Sequence, residues 1–486
     1  MNWTMAHIIL YVVLPALITV IVFYVYIFSE ENSKTNKKYQ VHFKLKQGKF
    51  KIDNVRRGVS IIGSAGSGKT ESVVYNLLQH FAKYNFCGII HDYKDFELTE
   101  IAYPLFKDMD VDFYTISFDK IYHRVNPIAP RYLPNEESVN EVSKVLIENL
   151  LEMNLSEASG SSKFFMDAVE GLLSGLIWKL KTAYPQLCTL PHLIALYQTM
   201  STKKLVVFLN SDFTSKAMAS AFINGIESEK QTAGVKSTLA NAFKKISSQK
   251  IFMVLSADEV PLNINNPNNK AVISIVNNPQ YESAYSPIIA TIMHTVIKQM
   301  SMRNQESAFV LMEEAPTIKL LNMHRIPATL RSYDIATVYV MQDKIQNDML
   351  YGEKASKAIL SNLSYQFFGK VNDPDTAKYY ERFFEIIKNP TKSISKSTGL
   401  SWDARITKGE KEVPKRKAEI FFRLKPGEFI AFADGMDKKI SFKLQSIYKK
   451  RSIKNKQYSK EESELNFYRI HRDIERFFIK QQTQFI

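Results

Sequence analysis

Near its N-terminus the chain contains the stretch Gly63-Ser64-Ala65-Gly66-Ser67-Gly68-Lys69-Thr70. It matches the phosphate-binding loop pattern G-x-x-x-x-G-K-[ST] at every required position. In such a loop the glycines let backbone N–H groups turn inward around a phosphate, and the following helix adds the partial positive charge of its N-terminus. We expect Lys69 to reach the β- and γ-phosphates, and the Thr70 hydroxyl to ligate Mg²⁺. The stretch therefore predicts a nucleoside triphosphate site.

The residues on either side predict the strand–loop–helix unit that this site requires. Residues 58–62 are short, apolar and β-branched, as expected of a buried strand. Residues 71–80 place apolar side chains at helical spacing. A glycine-rich turn that matches the pattern by chance is the alternative, and both flanks argue against it.

Length and composition allow more than this unit. A chain of 486 residues can hold two or three domains, and its 45% hydrophobic and 23% charged residues are typical of a globular protein. The net charge of +15 suggests an anionic partner, either nucleic acid or a membrane surface, with a merely basic soluble protein as the alternative. The only two cysteines, Cys87 and Cys188, fit a reducing compartment and argue against a cysteine-based metal site.

Residues 8–28 carry no charge and are numerous enough to cross roughly 30 Å of hydrocarbon as a helix. A lysine-rich segment follows, and positive charge marks the cytoplasmic side of a membrane. We therefore predict a single-pass anchor over residues 1–29, a basic linker over residues 30–57, and a cytoplasmic location for the rest. A cleaved signal peptide is disfavoured because no Lys or Arg precedes the apolar run. Part of the lysine cluster could instead lie on anionic headgroups.

Short apolar runs alternate with helical patterns over residues 58–375, which predicts an α/β fold around a mostly parallel sheet. Residues 184–247 lack strand patterns and predict an inserted all-α domain. The nucleotide-binding domain then has two parts, residues 58–183 and residues 248–450.

Two further segments stand near the end of the chain. Residues 388–418, rich in Lys, Ser and Thr, predict a loop. Residues 451–486 predict a C-terminal basic amphipathic helix, for which packing on the body and docking to a partner both remain open.

An acidic pair supplies the second half of the predicted site. Residues 309–312 form an apolar run that ends in Glu313 and Glu314. A nucleoside triphosphatase needs one carboxylate near Mg²⁺ and one group that orients the attacking water. We assign Glu313 to the metal and Glu314 to the water, with two exposed acids at a strand end as the alternative.

Two more polar residues end predicted strands. Asp92 closes residues 86–92 and is a second candidate near the metal. Gln342 lies at the tip of residues 336–342, where an amide can sense the γ-phosphate by hydrogen bonding. A glutamine that merely ends a strand would look the same.

The order of these motifs resembles the type IV secretion coupling proteins, the TraG/TraD-like ATPases of bacterial conjugation. The likeness covers roughly residues 55–445. It rests on residues 63–70, 91–95, 126–128, 162–165, 311–317, 331–333, the strand reaching Gln342, 361–368, 371–377 and 424–428.

This resemblance implies a RecA-like motor, anchored in the bacterial inner membrane, with its all-α domain facing the cytoplasm. It implies a homohexamer around a central channel, with ATP and Mg²⁺ as ligands. The partners would be a DNA-bound relaxase, the channel proteins of the secretion system, and single-stranded or double-stranded DNA bound without sequence preference. Arg331 falls where the family's arginine finger lies, and would reach the γ-phosphate of the neighbouring subunit.

The chain departs from the family in two respects. Many members have two membrane helices where this sequence predicts one, and Glu313 replaces the usual Asp. Read from the residues alone, Arg331 could equally be a surface or capping residue. Three other functions stay open: another hexameric DNA translocase, a recruitment platform that binds nucleotide with little turnover, and a small-molecule kinase.

Overall fold

The computed structural model describes residues 13–152, 160–396, 404–443, 447 and 457–484. Its strands are β1 (Val41–Phe43), β2 (Phe50–Ile52), β3 (Val59–Ile62), β4 (Cys87–Asp92), β5 (Asp112–Ile116), β6 (Ala271–Val276), β7 (Ala308–Met312), β8 (Ile335–Met341), β9 (Tyr365–Phe368), β10 (Ile386–Lys396), β11 (Ala404–Pro414), β12 (Glu428–Ala433) and β13 (Met436–Ser441).

Nine of these strands form one sheet in the order β13-β12-β9-β3-β8-β7-β4-β6-β5. The seven strands from β9 to β5 pair in parallel, and β12 and β13 extend the β9 edge in antiparallel fashion. Every residue of β3, β4, β6, β7 and β8 is buried, because helices cover both faces of a parallel sheet. The predicted α/β fold with a mostly parallel sheet is confirmed.

The helices alternate with these strands. They are α1 (Leu14–Tyr39), α2 (Tyr75–Lys83), α3 (Glu97–Phe106), α4 (Glu136–Leu151), α5 (Ser161–Ala183), α6 (Leu190–Thr199), α7 (Thr202–Asn210), α8 (Phe213–Met218), α9 (Ser220–Asn224), α10 (Glu229–Lys245), α11 (Gln249–Leu255), α12 (Glu282–Met300), α13 (Ile326–Arg331), α14 (Lys344–Tyr351), α15 (Glu353–Ser361), α16 (Pro374–Glu381), α17 (Ala418–Phe422) and α18 (Lys460–Gln484).

The helical run between β5 and β6 is longer than the predicted segment of residues 184–247. It begins with α4, whose first turn is closed by a capping box between Asn135 and Ser138, and it ends with α11. Helix α4 packs against both α5 and α12. It therefore joins the helical run to the helix layer of the sheet, which explains why the composition does not mark its boundary.

The prediction of a loop over residues 388–418 is wrong. Strands β10 and β11 pair with each other in antiparallel register from Ile386 opposite Pro414 to Lys396 opposite Ala404. Backbone hydrogen bonds between the two strands form this hairpin, and such bonds do not require the apolar alternation by which strands were recognised in the sequence.

The predicted C-terminal helix is present as α18 and packs on α6 and α11. Its Ile470 and Ile474 are buried, and the ring of Phe477 lies edge-on to Tyr184 with centroids 4.8 Å apart. Of the two alternatives for this helix, packing on the body is the one found.

At the other end of the chain, α1 leads into β1. None of the helices within the described residues is both long and apolar enough to cross a membrane. Residues 8–12, where the predicted span starts, lie outside the described residues.

Candidate nucleotide site

The phosphate-binding loop follows β3, near the middle of the sheet and at the carboxyl ends of the parallel strands. Its first two residues are held by the strands on either side. The Gly63 N–H donates to the Met341 carbonyl at 3.2 Å, and the Ser64 N–H donates to the Lys370 carbonyl at 2.7 Å. Ligands of open parallel sheets bind at this edge, beyond the strand ends. The predicted loop therefore lies where such a fold places its ligand.

Two glycines let the loop make its turn. Gly66 and Gly68 have φ angles of 72° and 83°, in the left-handed region that favours glycine. A Cβ on Gly68 would also lie 2.8 Å from the backbone nitrogen of Gly427. The Gly427 N–H in turn donates to the Ser67 carbonyl at 2.9 Å. The loop thus packs against, and is hydrogen-bonded to, the turn that precedes β12.

Lys69 lies over the loop itself. Its Nζ donates to the Gly63 carbonyl at 2.5 Å and to the Ser64 carbonyl at 3.3 Å. The side chain is buried, and burial lowers the pKa of its ammonium while the nearby Glu314 opposes that change. Lys69 is therefore a desolvated cation at the mouth of the loop, which suits an anionic ligand.

Thr70 opens a π-helical turn, Thr70–Val74, that leads directly into α2. The Val74 N–H donates to the Lys69 carbonyl at 3.1 Å, which is the wider spacing of a π turn. Such turns are frequent at functional sites. The Ser67 hydroxyl oxygen is buried without a hydrogen-bond partner among the described residues, so the loop retains an unsatisfied polar group that a phosphate oxygen would satisfy.

The acidic pair follows β7 at the same edge. The Glu313 N–H donates to the His91 carbonyl, and the Nδ1 of His91 lies 2.9 Å from the Glu313 carbonyl. The Glu313 side chain is 5% exposed, and burial, followed by the nearby Asp92, raises its pKa to about 8. Glu313 and Glu314 are thus not two exposed acids at a strand end, and that alternative is wrong.

Glu314 adopts a left-handed backbone conformation with φ of 44°, which is uncommon for a residue with a side chain. Its Oε1 accepts a hydrogen bond from the Nε2 of Gln342 at 2.9 Å. Strained backbone of this kind clusters at functional sites. The structure therefore brings Gln342 together with Glu314 at the carboxyl ends of β8 and β7.

Asp92 is fully buried, and its carboxylate has partners of its own. Its Oδ2 accepts from the Thr99 N–H at 2.7 Å and from the Thr99 hydroxyl at 2.5 Å, and its Oδ1 accepts from the Lys94 N–H at 3.3 Å. Burial raises the pKa of this carboxyl, and the Thr99 hydrogen bonds oppose that change. Asp92 thus secures the segment that leads into α3, with fewer lone pairs left for a metal than Glu313.

The described residues contain no group of three His, Cys, Asp or Glu side chains that could hold a metal ion by themselves. Magnesium rarely needs one, because it keeps several waters and binds through one or two carboxylates plus substrate phosphates. Thr70 and Glu313 supply a hydroxyl and a carboxylate of the required type at this edge. The residues therefore fit Mg²⁺ that arrives with a nucleotide.

Arg331 lies elsewhere. It ends α13, is exposed, and precedes β8, which starts at Ile335 opposite Ala308 of β7. The phosphate-binding loop lies beyond the far end of that strand, whose 7 residues span about 23 Å at roughly 3.3 Å each. Arg331 therefore cannot reach the loop of its own chain.

Lys94 is a site residue to which sequence reasoning gave no role. Its Nζ lies 3.5 Å from Glu313 Oε1 and 3.3 Å from Glu314 Oε1. In the sequence, Lys94 could be recognised only by its position two residues after Asp92, at the end of a predicted strand. Its contact with the acids follows from the strand order, which places β4 next to β7.

Among known protein families, residues 49–416 match the sequence family of the type IV secretion-system coupling protein DNA-binding domain. No curated protein matches the sequence at a significant level.

Similar solved structures include the unbound bacterial conjugative coupling protein TrwB, with a TM-score of 0.65 and 12% identity over 84% of this chain and 90% of that chain. TrwB with ADP and Mg²⁺ has a TM-score of 0.63 and 12% identity over 82% of this chain and 87% of that chain. TrwB with a non-hydrolysable ATP analogue has a TM-score of 0.63 and 12% identity over 83% of this chain and 89% of that chain. At such identity the likeness shows a shared fold.

Proposed function

The chain belongs to the type IV secretion-system coupling proteins, and from this premise we propose that it is an ATPase that couples DNA and its relaxase to a secretion channel and drives DNA transfer. One observation carries the enzymatic part of the proposal. The phosphate-binding loop, the acidic pair Glu313 and Glu314, and Gln342 follow three different strands, β3, β7 and β8, and converge at one edge of one sheet.

Each side chain then has a role in hydrolysis. With nucleotide bound, Lys69 would exchange its loop carbonyl partners for the β- and γ-phosphates. Thr70 and Glu313 would hold Mg²⁺, which would neutralise phosphate charge. Glu314 orients the attacking water. Gln342 holds the Glu314 carboxylate in place through the 2.9 Å hydrogen bond and senses the γ-phosphate. The TrwB structures, solved with ADP and Mg²⁺ and with an ATP analogue, support nucleotide binding by this fold.

Assembly completes the site in this proposal. Arg331 is exposed and lies at the opposite edge of the sheet from its own loop. A guanidinium there can reach only the nucleotide of another subunit, as an arginine finger acting in trans in a homohexamer.

The remaining features support a membrane location and a nucleic-acid partner. Residues 8–28 are uncharged, and the described apolar side chains of α1 from Leu14 to Tyr24 are exposed, including Val20 at 67% and Phe23 at 65%. We place the anchor in the bacterial inner membrane, with the bulk of the chain in the cytoplasm. The net charge of +15 favours DNA bound through its phosphates, without sequence preference.

A recruitment platform with little turnover is the second candidate, and Glu313 favours it. A carboxyl whose pKa is raised to about 8 is mostly protonated at neutral pH, and a protonated carboxyl is a poor metal ligand. Such a platform would bind nucleotide and DNA and hand substrates to the channel by contact alone.

ATP turnover of the purified chain, with and without single-stranded DNA, separates these functions. Turnover that DNA stimulates is expected of the motor, whereas nucleotide binding without detectable turnover is expected of the platform. Lys69→Ala should abolish nucleotide binding or turnover, and Glu314→Gln should bind ATP but not hydrolyse it. Glu353→Gln, on the exposed start of α15, is the matched control. Turnover within twofold of wild type in Lys69→Ala or Glu314→Gln would defeat the assignment.

A further inference from the structure

Lys94 is the cation shared by the two acids. Its Nζ is within 3.5 Å of Glu313 Oε1 and 3.3 Å of Glu314 Oε1. The two carboxylates are 5% and 3% exposed, whereas the lysine side chain is 39% exposed. The ammonium therefore reaches from the solvent side onto a buried pair of neighbouring carboxyl groups.

This part of the site needs a positive charge. Glu313 and Glu314 are adjacent, and the fully buried Asp92 adds a third carboxylate nearby. Ionising neighbouring buried carboxyl groups is costly unless a cation or several hydrogen bonds compensate the charge. The other donors to the pair are neutral: the Tyr93 N–H to Glu313 Oε2 at 3.3 Å and the Gln342 amide to Glu314.

Across the part of the chain that the structure describes, no second Lys or Arg forms an ion pair with either carboxylate. Lys69, the other nearby ammonium, donates instead to the Gly63 carbonyl. Lys94 thus supplies the compensating charge from within the chain.

We propose that Lys94 is a positioning residue: its ammonium occupies the carboxylates of Glu313 and Glu314 and keeps a divalent cation from binding them until nucleotide arrives. The inference rests on the proposed function, because it takes Glu313 as the metal ligand. An ammonium and a metal ion compete for the same carboxylate oxygens. The phosphates of a nucleotide add ligands that favour the metal, and without them Lys94 keeps its place. The site then takes up metal together with nucleotide and not alone.

The side chain suits an exchangeable partner. Lysine carries a compact charge on a flexible four-carbon stem. Its half-exposed position lets the ammonium leave the carboxylates for water or for a phosphate without first crossing the protein interior. A fully buried cation would have to be desolvated again at each exchange.

The test is Mn²⁺ binding to the full chain without nucleotide, followed by electron paramagnetic resonance of the free ion. Lys94→Met should bind Mn²⁺ at least tenfold more tightly than wild type, because the acids lose their internal cation. Lys94→Arg should stay within about threefold of wild type because it restores the charge. Lys107→Met is the matched control, since Lys107 is 37% exposed and also pairs with a carboxylate, that of Asp108. Equal Mn²⁺ affinity in wild type and folded Lys94→Met would overturn the proposal.

A second variant and a second readout guard against a purely structural effect. Lys94→Gln keeps a polar, hydrogen-bonding side chain, one atom shorter and without the charge, and should bind Mn²⁺ as Lys94→Met does. Nucleotide binding in EDTA should weaken at least fivefold in Lys94→Gln, while binding with Mg²⁺ stays within twofold of wild type. Equal loss in both conditions would mean that Lys94 is merely structural. Failure of Lys69→Ala to affect nucleotide binding would instead refute the nucleotide site, whatever the Mn²⁺ result.

Discussion

Glu313→Gln should stabilise this protein, and increasingly so as the pH rises. The Glu313 side chain is 5% exposed, and the pKa of its carboxyl is raised from 4.5 to about 8 by burial and by the neighbouring Asp92. Glutamine keeps the shape and the hydrogen-bonding oxygen of the side chain but has no charge to bury. The substitution therefore removes the cost of ionising this group inside the fold.

The sign and size of the effect follow from that pKa. A folded-state pKa above the unfolded value means that the folded protein binds more protons than the unfolded chain between pH 4.5 and about 8. The contribution of Glu313 to wild-type stability is fully present below the pKa of the unfolded state, 4.5. It is lost as the pH rises through the pKa of the folded state, about 8. At about 1.36 kcal/mol per pKa unit the whole change is roughly 5 kcal/mol, of which about 3 kcal/mol falls between pH 6 and pH 9.

Urea unfolding followed by circular dichroism at pH 6 and pH 9 measures this directly. The free energy of unfolding of Glu313→Gln should exceed that of wild type by about 3 kcal/mol more at pH 9 than at pH 6. Glu353→Gln, an exposed control on α15, should show no such trend. A difference that is equal at both pH values, or that shrinks as the pH rises, would refute a buried, high-pKa Glu313. Turnover should fall in the stabilised variant, as expected when an active-site group costs stability.

Three other predictions concern assembly, DNA and topology. Arg331→Ala should bind ATP normally and lose most turnover, and mixing it with Glu314→Gln should restore some activity. If Arg331→Ala turns over ATP as fast as wild type, independently of protein concentration, Arg331 is a surface residue. A protein that lacks residues 1–57 should still bind DNA, with an affinity that falls steeply as the salt concentration rises. If the folded truncated protein shows no such DNA binding, the basic charge serves the membrane surface instead. For the topology, a single cysteine replaces either Asn2 or Asn36 in a variant without other cysteines, and intact cells are treated with a membrane-impermeant thiol reagent. The cysteine at position 2 should be labelled and the one at position 36 should not, because the N-terminus is predicted to lie outside. The reverse pattern would overturn the orientation.

Local features of the sequence were sufficient to propose the core of the candidate site. The phosphate-binding loop is contiguous, so its glycines, Lys69, the strand before it and the helix after it can be recognised together. The acids at 313 and 314 end an apolar run and could be assigned in the same way. Buried parallel strands read as apolar runs, which is why the α/β fold followed from pattern alone.

Contacts between distant parts of the chain could not be predicted in this way. Gln342 meets Glu314 because β8 lies beside β7, and Lys94 meets both acids because β4 lies on the other side. Gly427 supports Gly68 from a segment hundreds of residues away. Strand order decides all three, and it results from how the whole sheet packs between its helices.

The sequence by itself thus indicated which residues are candidates to bind a phosphate and which acids are candidates to serve a metal, because those properties belong to short stretches and their own backbone. Only the tertiary structure decided the charge balance of the site: a buried pair of acids beside Asp92, compensated by the half-exposed Lys94. Burial and the distance between charges set the pKa of an acid and the partner it takes, and both are properties of the packed chain.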